Sequence, residues 1–205
     1  MSAGAQASAR NANASSDANT QPLRLFIALP CPINPAIAAA FDQLAAAQNS
    51  DNSGIRCVDP ATLHITLKFL GSVAGAQVRD VQAALDAALR GLTAPTLTLH
   101  GAGKFPGALW LGVDDNPGLT HIAQRCDSAM AALGFAPERR RYHPHVTLAR
   151  MKRKATFDAD GWAREHSAKH WGQFDARTVH LYRSDTHPDG ARYSVIHAVP
   201  LDWRE

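Results

Sequence analysis

Several things are missing from this 205-residue chain, and each absence removes a class of answer. No apolar run is long enough to cross a bilayer, so no membrane-spanning helix is expected. The three cysteines, Cys31, Cys57 and Cys126, are odd in number and widely spaced. There is no CxxC metal or redox motif, and three reduced thiols in a reducing, cytoplasmic compartment are expected. The net charge is only +3, too mild to diagnose a partner by itself. The first 22 residues, MSAGAQASARNANASSDANTQP, lack the apolar core of a secretory signal. They also lack the apolar content that would order them. They read as a disordered tail, with residues 23–205 as a single domain. Hydrophobic residues at 45% and charged residues at 19% are ordinary for a soluble globular chain.

What is present is a repeated order of elements. LRLFIAL (23–29) reads as a buried strand closed by Pro30 and Pro32. Asn34 and Pro35 are a helix start, and Ile37, Phe41 and Leu44 give that helix one apolar face. QNSDNSG (48–54) reads as a loop. LHITLKFL (63–70) alternates: Leu63, Ile65, Leu67 and Phe69 are expected to point one way, His64, Thr66 and Lys68 the other. A helix over roughly 75–90 and strands over 95–101 and 108–113 follow, the strands joined by an AGKFPG turn. The second half repeats this order. A helix runs from about Pro117 to Leu133, then a strand holding HVTL, a helix near 158–169, and a hairpin of 178–184 with 191–199 around HPDG. Two similar lobes related by an approximate two-fold axis would place the equivalent strands opposite each other.

Within that repeat one motif recurs. His-(Ile/Val)-Thr-Leu occurs at His64 and at His145, 81 positions apart. Ten histidines make one His-x-Thr unsurprising. Two extended copies at equivalent places are much harder to reach by accident. On a strand, positions i and i+2 share a face, so each copy presents an imidazole and a hydroxyl. Two imidazoles that titrate near neutrality suit an acid–base pair. One takes a proton from water while the other protonates a leaving oxygen. Hydroxyls hold the phosphoryl oxygens where charge develops. No metal or other cofactor is required. Between Glu138 and Lys154 lie Arg139, Arg140, Arg141, Arg150, Lys152, Arg153 and Lys154, seven basic residues against one acidic. Such a concentration favours a phosphate-bearing ligand.

VDPATLHITLKFLGSV and RRYHPHVTLAR resemble the signatures of the two-histidine phosphoesterase superfamily. More narrowly, they resemble the RNA 2′,3′-cyclic phosphodiesterase family, historically called 2′-5′ RNA ligase. FPGALWLGV and the terminal YSVIHAVPL share the likeness, which covers nearly everything but the tail. The resemblance implies an α+β fold, bilobed, with two antiparallel β-sheet lobes flanking a central groove and helices outside. It implies hydrolysis of an RNA or nucleotide 2′,3′-cyclic phosphate end to a 2′-phosphomonoester. It implies His64 as proton donor, His145 as proton acceptor, and Thr66, Thr147 and Arg150 as substrate-binding residues. On an ideal strand Arg150 points away from His145, so the strand is expected to end or twist there. Cys57 stands where that family often has tryptophan, and His143 where it more often has a basic residue.

Other readings remain open on the sequence. His143 and His145 form an HPH triplet of a kind that can bind zinc, but no third ligand is near, and no metal site is expected. A module that grips phosphorylated RNA or nucleotide ends without turnover would not need an acid–base pair. Ligation, the reverse reaction, would use the same two histidines. Phe69 and Trp110 are candidate stacking platforms, although the phase of Phe69 places it with Leu67 in the core. The remaining histidines read as surface or structural. Two lobes completing one site argue for a self-sufficient monomer.

Overall fold

The computed structural model describes residues 21–50, 53–187 and 190–203. Most of the expected tail lies outside the described residues. So do residues 51 and 52 of the expected loop, and Pro188 and Asp189 of the HPDG turn.

Thirteen elements follow in order among the described residues. Strand β1 (Leu23–Pro30) leads into helix α1 (Pro35–Gln48), then the short strand β2 (Ile55–Cys57) and strand β3 (His64–Val73). Helix α2 (Val78–Leu89) precedes the hairpin of β4 (Thr96–Phe105) and β5 (Ala108–Val113). Helix α3 (Pro117–Ala132), strand β6 (His145–Met151) and helix α4 (Ala159–Glu165) come next. Strands β7 (His170–Asp175), β8 (Thr178–His187) and β9 (Gly190–Pro200) complete the chain. The expected α+β class and the 178–199 hairpin are present.

Four expectations are corrected. The supposed AGKFPG turn is mostly strand: β4 runs on to Phe105, and only Pro106 and Gly107 turn. Gly107 has a φ of 83°, the left-handed backbone that glycine tolerates best. The helix near 158–169 stops at Glu165, and residues 170–175 form an unforeseen strand, β7. Strand β2 is also unforeseen. It is three residues long, too short to show a period. The helix expected from residue 75 opens with a 3₁₀ turn at Gly75–Gln77.

The strand order is β7-β4-β5-β6-β3-β1-β8-β9, with β2 paired to β6 as well. All nine strands thus belong to one sheet rather than two, and at its centre, where β3, β1, β8 and β9 join β6, β5, β4, β7 and β2, strands β3 and β6 lie side by side. They touch through one residue pair, Ile65 opposite Val146. Beyond it β6 turns its edge to β2, pairing Cys57 with Ala149 and Arg56 with Arg150. Ile65 and Val146 are both fully buried.

The helices cover the side of the sheet opposite the site. Asn34 and Asn116 play the same part at two helix starts, each followed by proline. Asn34 Oδ1 accepts from Ile37 N at 3.0 Å and Asn116 Oδ1 accepts from Leu119 N at 3.0 Å, each meeting an N–H that the helix leaves without a partner. The spare amide of each then reaches a strand: Asn34 Nδ2 donates to Trp171 O at 2.6 Å, and Asn116 Nδ2 to Thr96 O at 2.9 Å. Leu119, Ile122, Cys126 and Met130 of α3 enter the core, and the helix packs on α2 and β3.

A buried ion pair fastens α3 to β3. Lys68 Nζ donates to Asp127 Oδ1 at 2.5 Å and to Ala136 O at 2.9 Å, with the Lys68 side chain only 4% exposed. Burial pushes the Asp127 carboxyl up. The Lys68 ammonium and the Glu138 N–H together outweigh that and hold it below its ordinary value. Its folded pKa is thus depressed. The contribution to stability is full above the unfolded value of about 3.9 and is lost as pH falls through the folded one. Asp127→Ala leaves the buried ammonium one partner short and should cost about 2–3 kcal/mol, somewhat below a fully buried pair. Urea denaturation at neutral pH measures it. The gap between variant and wild type should narrow in acid.

Candidate active site

Both motif histidines are held by the same device. His64 Nδ1 lies 2.7 Å from Thr62 O, and His145 Nδ1 lies 2.8 Å from His143 O. A carbonyl can only accept, so Nδ1 carries the hydrogen in each ring. Nε2 is then the position that gains or loses a proton. Among the described residues neither Nε2 has a hydrogen-bond partner. Clamping one nitrogen to the backbone two residues upstream fixes the tautomer and aims the other outward.

Ile65–Val146 pairing sets the rest. Antiparallel register continued by one residue matches His64 with Thr147 and Thr66 with His145. All four side chains stand on the face opposite the buried Ile65 and Val146, and each is half-buried. Among the described residues neither threonine hydroxyl is engaged. The Thr66 carbonyl accepts from Tyr142 Oη at 3.1 Å, which ties β3 to the segment leading into β6.

The strict alternation expected along LHITLKFL fails after Leu67, and the failure shapes the site. In the β1–β3 ladder Ala28 faces Thr66 and Ile27 faces Lys68, so Leu67 has no partner of its own. This is a β-bulge, which adds a residue and shifts the phase. Lys68, expected beside His64, is buried at 6% exposure; Phe69, expected in the core, is 68% exposed. The second motif repeats the fault. Trp110 faces Thr147 and Leu109 faces Ala149, so Leu148 is the bulged residue. Ala149 is buried and Arg150 exposed. Strand β6 does not end at Arg150; its phase shifts there. The guanidinium charge is felt at both His64 and His145, and among the described residues Arg150 forms no ion pair.

Each imidazole rests on aromatic rings. Phe26 lies 5.0 Å from His64, with Tyr193 edge-on at 5.4 Å. Phe105 lies 5.0 Å from His145, edge to face, and Trp110 at 6.2 Å. Trp110 is therefore part of the wall behind His145. Its ring passes over Gly103, where a Cβ would come within 2.3 Å of it. Sequence reasoning singles out Trp110, as a stacking platform, but misses Phe26, Phe105 and Tyr193, which lie on β1, β4 and β9.

The surroundings lower the pKa of both imidazoles. For His64, burial lowers the pKa and the Thr62 carbonyl opposes it, while the charges of Arg150 and His145 lower it further. For His145, burial again lowers it against the His143 carbonyl, with the His143 ring and Arg150 adding to the fall. A bound anion would reverse the electrostatic part.

The basic cluster of 139–154 is not one patch. Arg140 and Arg141 line a hollow of about 840 Å³ beside α3. Arg150 lines a hollow of about 540 Å³ that includes Thr62 and Tyr193, both neighbours of His64. Among the described residues no group of three or more His, Cys, Asp and Glu side chains is placed to hold a metal ion.

The chain as a whole is similar to known proteins. The family model of the 2′-5′ RNA ligase superfamily matches residues 33–188. An RNA 2′,3′-cyclic phosphodiesterase from Methanocaldococcus jannaschii is 30% identical over 184 residues, covering 85% of this chain and 98% of the relative. The crystal structure of E. coli LigT complexed with 3′-AMP superposes with a TM-score of 0.67 at 26% identity, covering 88% of this chain and 99% of that one. A crystal structure from Thermus thermophilus shares the fold with a TM-score of 0.71 at 23% identity, over 89% of this chain and 100% of that one.

Both lowered pKa values can be read by NMR titration of the imidazole carbons. The His64 and His145 signals should both titrate below the ordinary value of about 6.5, and at least one should move up when inorganic phosphate is added. Because the unfolded chain binds these protons more readily, their contribution to stability is full above about 6.5 and falls as the solution is acidified.

Proposed function

We propose, for a chain that belongs to the 2′-5′ RNA ligase superfamily, the hydrolysis of RNA 2′,3′-cyclic phosphate ends to 2′-phosphomonoesters. The observation that carries this is the matched pair of backbone-clamped imidazoles on one face, with two hydroxyls and a guanidinium around them. The name of the M. jannaschii relative supports the choice of substrate. The 3′-AMP in the E. coli structure supports a nucleotide fitting the groove.

In the reaction, water attacks phosphorus in line with the bond to the 3′ oxygen. His145, neutral, takes a proton from that water at Nε2. His64, protonated, gives its Nε2 proton to the departing 3′ oxygen. The P–O3′ bond breaks, a P–O bond to the former water forms, and the phosphate stays on O2′. Thr66, Thr147 and Arg150 hold the non-bridging oxygens, and the arginine offsets the charge that gathers there. The anionic substrate raises the depressed His64 pKa, so the acid form is favoured when it is needed. Phe69, exposed on this face, is placed to stack on the terminal base. Ligation of a 2′-phosphate to a 5′-hydroxyl would run the same proton transfers backwards. Both histidines come from one chain, so a monomer is sufficient, and three free cysteines fit a reducing compartment such as the cytoplasm.

The decisive assay is hydrolysis of a 2′,3′-cyclic nucleotide, and of a short RNA with that terminus, in the presence of EDTA. Wild type should release a 2′-phosphate. His64→Ala and His145→Ala should each lose about 10²- to 10⁴-fold in kcat, the usual worth of a positioned acid or base. Phosphorylated ends that bind wild type without turnover would instead identify a binding module. A second set of variants separates grip from chemistry. Arg150→Ala should lower kcat and kcat/KM together, whereas Phe69→Ala should act mainly through KM.

A further inference from the structure

We propose that Arg56, with Arg192 and Lys152, forms an auxiliary phosphate subsite that binds the backbone of a single-stranded RNA upstream of its cyclic end. This rests on the function proposed above and makes its preferred substrate a polynucleotide rather than a mononucleotide.

Three observations converge on Arg56. The first is the shape of the surface. The hollow beside His64 is also lined by Asp59 and Arg192. A second hollow of about 440 Å³ is lined by Gln48, Ser50, Ser53 and Lys152. Arg56 and Arg150 line both. The two are therefore neighbouring stretches of one depression, which leads from the histidines across the β2–β6 edge. A cyclic mononucleotide needs only its inner end.

The second observation is a cross-strand pair of like charge. Arg56 stands directly opposite Arg150 in the β2–β6 ladder. Opposed residues share a face, so the two guanidiniums are carried on the same side of the sheet. The pairing is firmly built. Cys57 N donates to Gln48 Oε1 at 2.7 Å and Val58 N to Leu148 O at 2.9 Å. Each guanidinium offers five N–H donors in the fork geometry that phosphate accepts. With Arg150 committed to the cyclic phosphate, Arg56 is placed for the next phosphate along the strand.

The third is the glycine that makes room. A Cβ at Gly190 would lie 2.8 Å from Nη2 of Arg56. Gly190 also has a φ of 118°, which side-chain-bearing residues rarely adopt. The start of β9 thus leaves space for the Arg56 head group beside Arg192. Asp59 also lines the inner hollow, but its Oδ1 accepts from Ala61 N at 2.9 Å and is turned into its own bend. In the outer hollow the Gln48 oxygen is taken by Cys57 N and its amide nitrogen can donate to a phosphate oxygen, while the Ser50 hydroxyl, which donates to Ala47 O, can still accept from a ribose 2′-hydroxyl.

The test compares wild type, Arg56→Ala and Lys152→Ala on two substrates, a 2′,3′-cyclic mononucleotide and a short single-stranded RNA ending in the same group. For Arg56→Ala, kcat/KM on the RNA should fall about tenfold more than on the mononucleotide, in line with the loss of one charge-assisted contact. The slope of log kcat/KM against log salt on RNA should flatten by about 0.7 for each phosphate contact removed. Equal losses on both substrates, or an unchanged salt slope, overturn the proposal. If wild type opens neither cyclic phosphate, the hydrolytic reading has failed, and binding still decides the subsite. Fluorescence anisotropy with the same RNA ending in a 3′-phosphate should show salt-dependent binding that Arg56→Ala weakens. Binding that the substitution leaves alone overturns the subsite independently of turnover.

Discussion

The site depends on one pair of residues, Ile65 and Val146, meeting where the two halves of the sheet join. Neither has any chemistry of its own. Each is fully buried, and each has an imidazole before it and a hydroxyl after it. Burying an isoleucine and a valine contributes about 2 kcal/mol apiece, which is enough to hold the register at the one place where two strands touch. A slip of one residue would turn both histidines into the core. The precision of the polar groups thus comes from apolar neighbours. The buried Lys68–Asp127 pair holds α3 against the same strand from behind.

Much of the arrangement is legible in the sequence because it is periodic. The repeated His-x-Thr-Leu places two imidazoles and two hydroxyls on strands, and the repeated order of elements brings those strands together. Asn-Pro marks the start of α1, and the hairpin of β8 and β9 follows from its two apolar runs. What fails is the assumption that the period continues. Leucine follows threonine in both motifs, and both leucines are bulged. Nothing in an alternating pattern announces a bulge, since the extra residue is as apolar as its neighbours. Unbroken alternation therefore exchanges the exposed Phe69 with the buried Lys68, and it brings Arg150 to the site only if the strand ends or twists; the strand continues, and the bulge at Leu148 shifts its phase.

The parts that escape altogether come from distant positions. Phe26, Phe105, Tyr182 and Tyr193 lie on four strands and meet the histidines only after the sheet is assembled. Strand β2 has three residues, and its pairing is imposed by β6 and by the Gln48 side chain. The basic run of 139–154 misleads in the opposite direction. Nearness in sequence suggests one patch, but the chain passes through β6, and the arginines before and after that strand line different hollows.

The identical clamps on the two imidazoles carry a consequence for the cycle as a whole. With Nδ1 of each ring bonded to a carbonyl, neither ring can reset itself by passing a proton through its far side. In the proposed reaction a turnover leaves His145 charged and His64 neutral, the reverse of the starting condition. The same nitrogen that handled the substrate must then exchange with solvent, and both rings are open enough to do so. Product has to leave, or at least make way for water, before the protons can return to their places. Recharging the pair is therefore a step in its own right, tied to the emptying of the groove.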